Sequence, residues 1–159
     1  MASIYVADTS SIIELAQYYP EKVFPKLWKN FQTLVTSERL LAPTEVFKEI
    51  ELGKNLDLIK WCKKNQRMFI ENNREIAGFV TQIIQQHPGL VNANKLGPEA
   101  DPFIIALARS RKSNLTNSEP IVVTQEGHSS LHKIPFVCSK YDINCIRLID
   151  VFHSEGWQF

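Results

Sequence analysis

Four short apolar segments in this chain each lead into or carry an acidic residue, and helical patterns separate them. Ile4-Tyr5-Val6-Ala7 runs into Asp8, and Ile121-Val122-Val123-Thr124 runs into Gln125-Glu126. Glu49 sits in the stretch after Pro43, and Asp101 opens the run Phe103-Ile104-Ile105-Ala106-Leu107. A short continuous apolar run suits a strand buried on both faces, and strands alternating with helices argue a parallel sheet flanked by helices. The carboxyl ends of such strands share one edge, and ligands bind outside it. Carboxylates gathered there concentrate negative charge, which is costly unless a hard cation neutralises it. Oxygen-only ligands suit Mg²⁺ or Mn²⁺. Metal-assisted phosphodiester hydrolysis is the chemistry that this pattern favours.

The rest of the composition sets broad limits. At 159 residues, 44% apolar and 22% charged, the chain reads as one soluble α/β domain over residues 1–159, with a helical segment at about 54–86. A net charge of +1 neither demands nor forbids nucleic acid, because clustering matters more than the total. Cys62, Cys138 and Cys145 are widely spaced, lack a C-x-x-C pair and suit buried thiols in a reducing compartment. No apolar run approaches the ~18 residues of a membrane span, and the N-terminus lacks a basic-then-apolar signal. A cytoplasmic protein with no membrane partner is expected.

Local patterns then place the elements. Thr9, Ser10 or Ser11 can cap a helix carrying Ile12, Ile13, Leu15 and Ala16, ended by Tyr19-Pro20. A second helix carries Val23 to Leu34, and Leu40-Leu41-Ala42 is a brief strand before a helix from Pro43-Thr44 to about Leu52, stopped by Gly53. Residues 56–86 read as two or three helices with a break near Asn72-Asn73. A loop follows at 87–97, then a helix at about 99–111, a polar loop at 112–120 and a strand at 121–124. Ile134–Tyr141 is ambiguous, Ile143–Leu148 reads as a last strand, and a short helix precedes Gly156.

The acids divide between chemistry and blander roles. Asp8 lies at the sheet edge and is the strongest candidate; the alternative is a cap for the next helix, which Thr9 or Ser10 could provide equally well. On the helix after Pro43, Val46 and Ile50 set the core face. Glu49 falls ~60° from Val46 and is the acid best placed to reach inward, against a reading as a surface glutamate near Lys48, whereas Glu45 falls ~100° away, towards solvent. Asp101 lies within the apolar stripe of Ile104, Ile105 and Ala108, yet Asp101-Pro102 also suits an N-cap followed by proline. Thr124 can orient a water and Glu126 can supply a further oxygen, or Glu126 can be a solvated loop acid before Gly127.

Taken together, the chain resembles the PIN-domain nucleases. The matching residues are Tyr5-Val6-Ala7-Asp8-Thr9-Ser10, Pro43-x-x-Val46-x-x-Glu49-Ile50, Ala100-Asp101-Pro102-Phe103-Ile104-Ile105-Ala106-Leu107-Ala108 and Val122-Val123-Thr124-Gln125-Glu126. The ending from Lys133 to Gly156 is similar to a bacterial PIN-like branch. The resemblance implies a parallel sheet of four or five strands and a Mg²⁺- or Mn²⁺-dependent endoribonuclease, the toxin of a toxin–antitoxin pair. It carries over Asp8, Glu49 and Asp101 as metal ligands, with Glu126 standing where the family commonly has Asp. Thr124 joins the catalytic set, and Ser10 and Arg109 are the expected substrate contacts. RNA, an antitoxin protein and a second copy of the chain are the partners to look for.

Cations flanking an acidic centre would hold the phosphate backbone. Lys63, Lys64 and Arg67 form one group and Arg109, Arg111 and Lys112 another, of which Arg109 shares its helix with Asp101. The four histidines have no zinc-ligand spacing, and Trp28, Trp61 and Trp157 read as core or partner-facing residues, not as base-stacking platforms. Two other functions compete. One is a PIN-like RNA-binding or protein-interaction module without useful activity. The other is phosphotransfer through Asp8, disfavoured because no second Asp stands two residues on.

Overall fold

The computed structural model describes residues 2–91, 99–114, 118–127 and 132–159, with 113 and 114 described by backbone only. Most of the expected 87–97 loop, part of the 112–120 loop and His128 therefore lie outside the described residues. Five strands build one parallel sheet: β1 (Ala2–Ala7), β2 (Leu40–Pro43), β3 (Phe69–Ile70), β4 (Ser118–Val123) and β5 (Asn144–Ile146), in the order β3-β2-β1-β4-β5. Helices α1 (Thr9–Tyr18), α2 (Pro25–Thr36), α3 (Thr44–Glu51), α4 (Leu56–Lys64), α5 (Arg74–Gln86), α6 (Asp101–Asn114), α7 (Ile134–Lys140) and α8 (Leu148–Glu155) connect or follow them. Among the described residues, no helix is long and apolar enough to cross a membrane.

The order of the strands fixes where a ligand can enter. From β1 the chain builds outward through β2 to β3, then returns to place β4 and β5 on the other side. The switch point of the sheet therefore lies between β1 and β4, and a crevice opens there outside the carboxyl ends. Those ends are level, because Ala7 pairs with Val123 and Val123 with Ile146. The ladder continues one step further: the Asp8 amide donates to the Val123 carbonyl at 3.0 Å, and Thr124 donates to Ile146 at 2.9 Å. Asp8 and Thr124 are thus neighbours at the lip of the two central strands.

Burial explains why these segments form these elements. Tyr5, Val6, Ala42 and Val122 are wholly buried, as strands covered on both faces must be. Helix α6 is apolar all round over Ile104–Ala108, and these five residues are wholly buried between the sheet and α5, which packs along it. A helix that precedes a parallel strand runs antiparallel to it, so the start of α6 lies at the carboxyl edge. Two expectations for this part of the chain need correction. Phe69 and Ile70 form a strand, not helix, because pairing with Ala42 and Pro43 at the sheet margin outweighs the helical pattern around them. The ambiguous Ile134–Tyr141 segment is helical, with Pro135 in its first turn.

The opposite edge of the sheet is closed by charge. Glu155, on the last turn of α8, accepts from the Tyr5 hydroxyl at 2.6 Å and from both terminal nitrogens of Arg39, at 2.9 and 2.6 Å. Arg39 Nε also donates to the Ser3 carbonyl at 2.9 Å, tying α8 to β1 and to the lead-in of β2. Gly156, in the left-handed region at φ 69°, ends α8 just after this contact. The hydrogen bonds from Arg39 hold the Glu155 carboxyl below its usual range, so its stabilising contribution is present above the unfolded pKa and is lost as pH falls through the lower folded one. Glu155→Gln is expected to cost about 1–3 kcal/mol at pH 7 in urea denaturation. The gap from wild type should narrow once the pH falls below the range in which Glu155 ionises.

Candidate functional site

Asp8 is 3% exposed and does two jobs at once. Its carboxylate caps α1, accepting the Ser11 amide at 2.8 Å, and it also accepts the Ser10 hydroxyl at 2.9 Å and the Thr124 hydroxyl. The cap therefore belongs to Asp8 and not to Thr9, Ser10 or Ser11, because the chain leaves β1 in an extended conformation that makes Asp8 the last non-helical residue. The capping and functional readings of Asp8 do not compete, since Ser11 engages one oxygen and Thr124 the other. Burial raises the pKa of Asp8, and the hydrogen bonds from Thr124, Ser11 and Ser10 offset part of that rise.

Ser10 and Thr124 knit the two central strands together. Ser10 Oγ accepts the Gln125 amide at 3.1 Å, and Thr124 Oγ1 accepts the Glu126 amide at 3.1 Å. Both hydroxyls thus sit between backbone donors and Asp8. The hydroxyl of Ser10, an expected substrate contact, holds Asp8 and the turn after β4. Gln125 was not singled out in the sequence. It bridges Glu14 of α1 at 2.5 Å and the Leu148 amide that starts α8 at 2.8 Å.

Asp101 has a different environment. The Ala100 carbonyl accepts from Phe103 at 2.9 Å and from Ile104 at 3.0 Å, so Asp101 is already the first helical residue and Ala100 occupies the cap position. Among the described residues, no donor reaches the Asp101 carboxyl. Burial, followed by the fields of Glu126, Asp8, Glu49 and Glu99, pushes its pKa up to about 7. The acids from four separate elements therefore act on one carboxyl, across an edge where no lysine or arginine among the described residues pairs with Asp8, Asp101 or Glu126.

Glu49 and Glu126 have protein partners of their own. Glu49 accepts the Thr9 hydroxyl, which draws it towards the start of α1. Glu126 accepts the Ile134 amide at 2.9 Å, capping α7 from across the turn. Glu45 is less exposed than its helical angle suggested. Its side chain is 13% exposed and meets Thr44 at 3.3 Å and Lys48 at 3.9 Å, because the first turn of α3 lies against the sheet edge. Arg109 does not join the acids. It lies about 12 Å further along α6 than Asp101, at 1.5 Å per residue, and its guanidinium stacks 4.0 Å from the Tyr141 ring and 4.4 Å from that of Phe79. Cys138 was also unforeseen beside the site. A hydrogen bond with Cys145, burial, and the fields of Glu126 and Asp8 raise its pKa well up, so it stays a protonated thiol and not a nucleophile.

Hard oxygen donors and surplus negative charge without a basic partner are the chemistry that a divalent cation requires. Asp8, Glu49, Asp101 and Glu126 carry the oxygen donors that Mg²⁺ or Mn²⁺ would take. As they stand, no three of the described acids, cysteines or histidines are grouped to hold a metal ion; Glu49 accepts from Thr9 and Glu126 from the Ile134 amide.

Residues 5–159 match the family described as a domain of unknown function, DUF4411. The chain belongs to the DUF4411 family. No curated protein matches it.

Two predictions follow from this charge arrangement. Asp8→Asn keeps an oxygen for the Ser11 amide, offers an amide to Thr124 and removes a buried charge, so in chelator it is expected to raise Tm by about 2–6 °C. A Tm several degrees below wild type would mark Asp8 as purely structural. For Asp101, a folded pKa near 7 lies above the unfolded value of about 3.9, so the folded state holds the extra proton between them. Without cations, stability should fall as pH rises from about 4 to 7, by at most about 1.4 kcal/mol per pH unit from this group. Asp101→Asn should flatten that slope in denaturation curves.

Proposed function

We propose that this chain is a metal-dependent endoribonuclease with a PIN-like active site, hydrolysing RNA phosphodiester bonds as the toxin of a toxin–antitoxin pair. The observation that carries the reading is the Asp101 carboxyl, held near pKa 7 by burial and by the carboxylates of Glu126, Asp8 and Glu49 at the switch point of a parallel sheet. Such an arrangement is unfavourable in the empty protein and becomes favourable when a cation and a phosphate meet there. A buried carboxyl perturbed by acids from separate elements in a crevice is a mark of functional sites, beside the capping and bridging roles of Asp8, Glu49 and Glu126.

The residues divide the work as follows. Asp8 and Asp101 would hold Mg²⁺ or Mn²⁺, with Glu49 as the third ligand and Glu126 as a further oxygen. The cation supplies charge neutralisation at the phosphate and a lowered pKa for the attacking water. Thr124, Ser10 and the Ser11 amide together fix the Asp8 carboxylate, so its orientation is set before substrate arrives. Glu126 is anchored by the Ile134 amide at the start of α7. Burial of Asp8 and Asp101 lowers the local dielectric and strengthens every interaction with the scissile phosphate.

A second reading has support of its own. Glu49 and Glu126 are satisfied by Thr9 and by the Ile134 amide without any cation, as they would be in a PIN-like module that binds RNA or protein without cutting. Cleavage of labelled RNA in Mg²⁺ and Mn²⁺ separates the two readings. Asp8→Asn and Asp101→Asn are expected to lose at least about a hundredfold in rate, and Thr124→Val about 10–100-fold. Glu126→Gln should lose less than Asp101→Asn, because the amide oxygen can still accept from Ile134. Cleavage that persists in chelator, or that survives Asp101→Asn, would refute the metal-dependent mechanism.

A further inference from the structure

A lysine-rich groove begins beside Glu49 and follows α4 away from the acids. Its first section is walled by Ile13 and Gln17 of α1, Glu49 and Ile50 of α3, and Lys54, Asn55 and Leu58. Asn55 and Leu58 also wall the next section, where Lys22, Lys60, Trp61 and Lys64 line the depression. A third section shares Lys22, Trp28, Trp61 and Lys64 with the second and adds Lys29 and Gln32 of α2. The three form one path along α4, a helix about 14 Å long at 1.5 Å per residue.

The charge along this path favours an anionic occupant. Lys22, Lys29, Lys54, Lys60 and Lys64 face it, against Glu21 and Asp57 beyond the candidate site itself. None of these five lysines takes part in an ion pair among the described residues, so their ammonium groups are free to meet phosphates. Trp61 is half-buried, packed edge-on against the buried Trp28 at 5.3 Å, and so forms a rigid apolar floor. The sequence reading of Trp61 as core or partner-facing is thus refined: its ring is part of the groove wall. The combination of a cationic rail and an aromatic floor is what a single-stranded nucleic acid binds without reading its bases.

We propose that the groove along α4 holds the sugar-phosphate backbone of a single-stranded RNA and delivers it to the acidic edge at Glu49. This rests on the nuclease reading for the purpose of delivery, but the binding itself is independent of any metal. The strand lies on the lysines and passes Asn55 and Leu58 to reach the carboxylates. A protein occupant would need apolar anchors along the rail in place of phosphates.

The test is binding of a fluorescein-labelled single-stranded RNA oligonucleotide by fluorescence anisotropy in EDTA, over a range of salt concentrations. Wild type is expected to bind with a negative slope of log affinity against log salt, and RNA should quench Trp61 fluorescence. The double variant Lys22→Ala/Lys64→Ala, checked for an unchanged melting transition, should weaken binding at least about tenfold and shrink the slope by about 1.4, at 0.7 per lost phosphate contact. Lys26→Ala/Lys140→Ala, equal in charge change but outside the groove, should leave both close to wild type. No RNA binding by wild type, no change in the groove variant, or an equal loss in the control pair would each overturn the proposal. RNA bound through the groove but never cut would refute the nuclease reading alone. Metal-dependent cleavage with an indifferent groove variant would refute the groove alone.

Discussion

The Asp8 carboxylate is carried into the protein at the point where the sheet changes direction, and the surrounding structure is arranged to tolerate it. Taking a charge out of water is costly unless it is hydrogen-bonded, and here the donors are hydroxyls and an amide, not a cation. Ser10 and Ser11 serve from the turn into α1, and Thr124 can serve because β1 and β4 end level with each other. That same register sets the turn carrying Glu126 and, through the Ile134 amide, the start of α7. Neutral donors reduce the cost of Asp8 without cancelling its charge. The surplus shows at Asp101, which has no donor of its own among the described residues and whose pKa rises to about 7.

Much of this was legible in the sequence because it depends on strongly local signals. Ile4–Ala7 and Ile121–Val123 are apolar in every position, are β-branched or aromatic at most of them and are bounded by polar residues or proline, as a short strand buried on both faces is. The helix limits at Tyr18 and at Glu51 coincide with the Tyr19-Pro20 and Gly53 stops. Glu49 was distinguishable from Glu45 by helical angle, and both the field of Glu49 at Asp101 and its bond with Thr9 agree with an inward side chain.

What the sequence did not reveal depends on contacts between distant segments. Strand β3 has two residues, too few for any alternation to appear, and it exists because β2 offers an unpaired edge. The exposure of Glu45 depends on how α3 lies against the sheet, which no pattern within the helix encodes. Arg109 shares a helix with Asp101, but a shared helix does not mean a shared end: α6 runs away from the acidic edge and delivers Arg109 to Tyr141 and Phe79. Glu126 was weighed as a ligand or a solvated acid. Its third role, capping α7, could be found only once the Ile134 amide was placed beside it.

The central proposal is that Asp8, Glu49, Asp101 and Glu126 take up a divalent cation at the switch point. The most direct measurement is a Mn²⁺ titration of the purified chain, with free Mn²⁺ followed by electron paramagnetic resonance. Wild type should bind one or two ions saturably, and Asp101→Asn should lose that binding while remaining folded. Equal, non-saturating uptake by wild type and Asp101→Asn would contradict the claim and leave the acids with structural roles only.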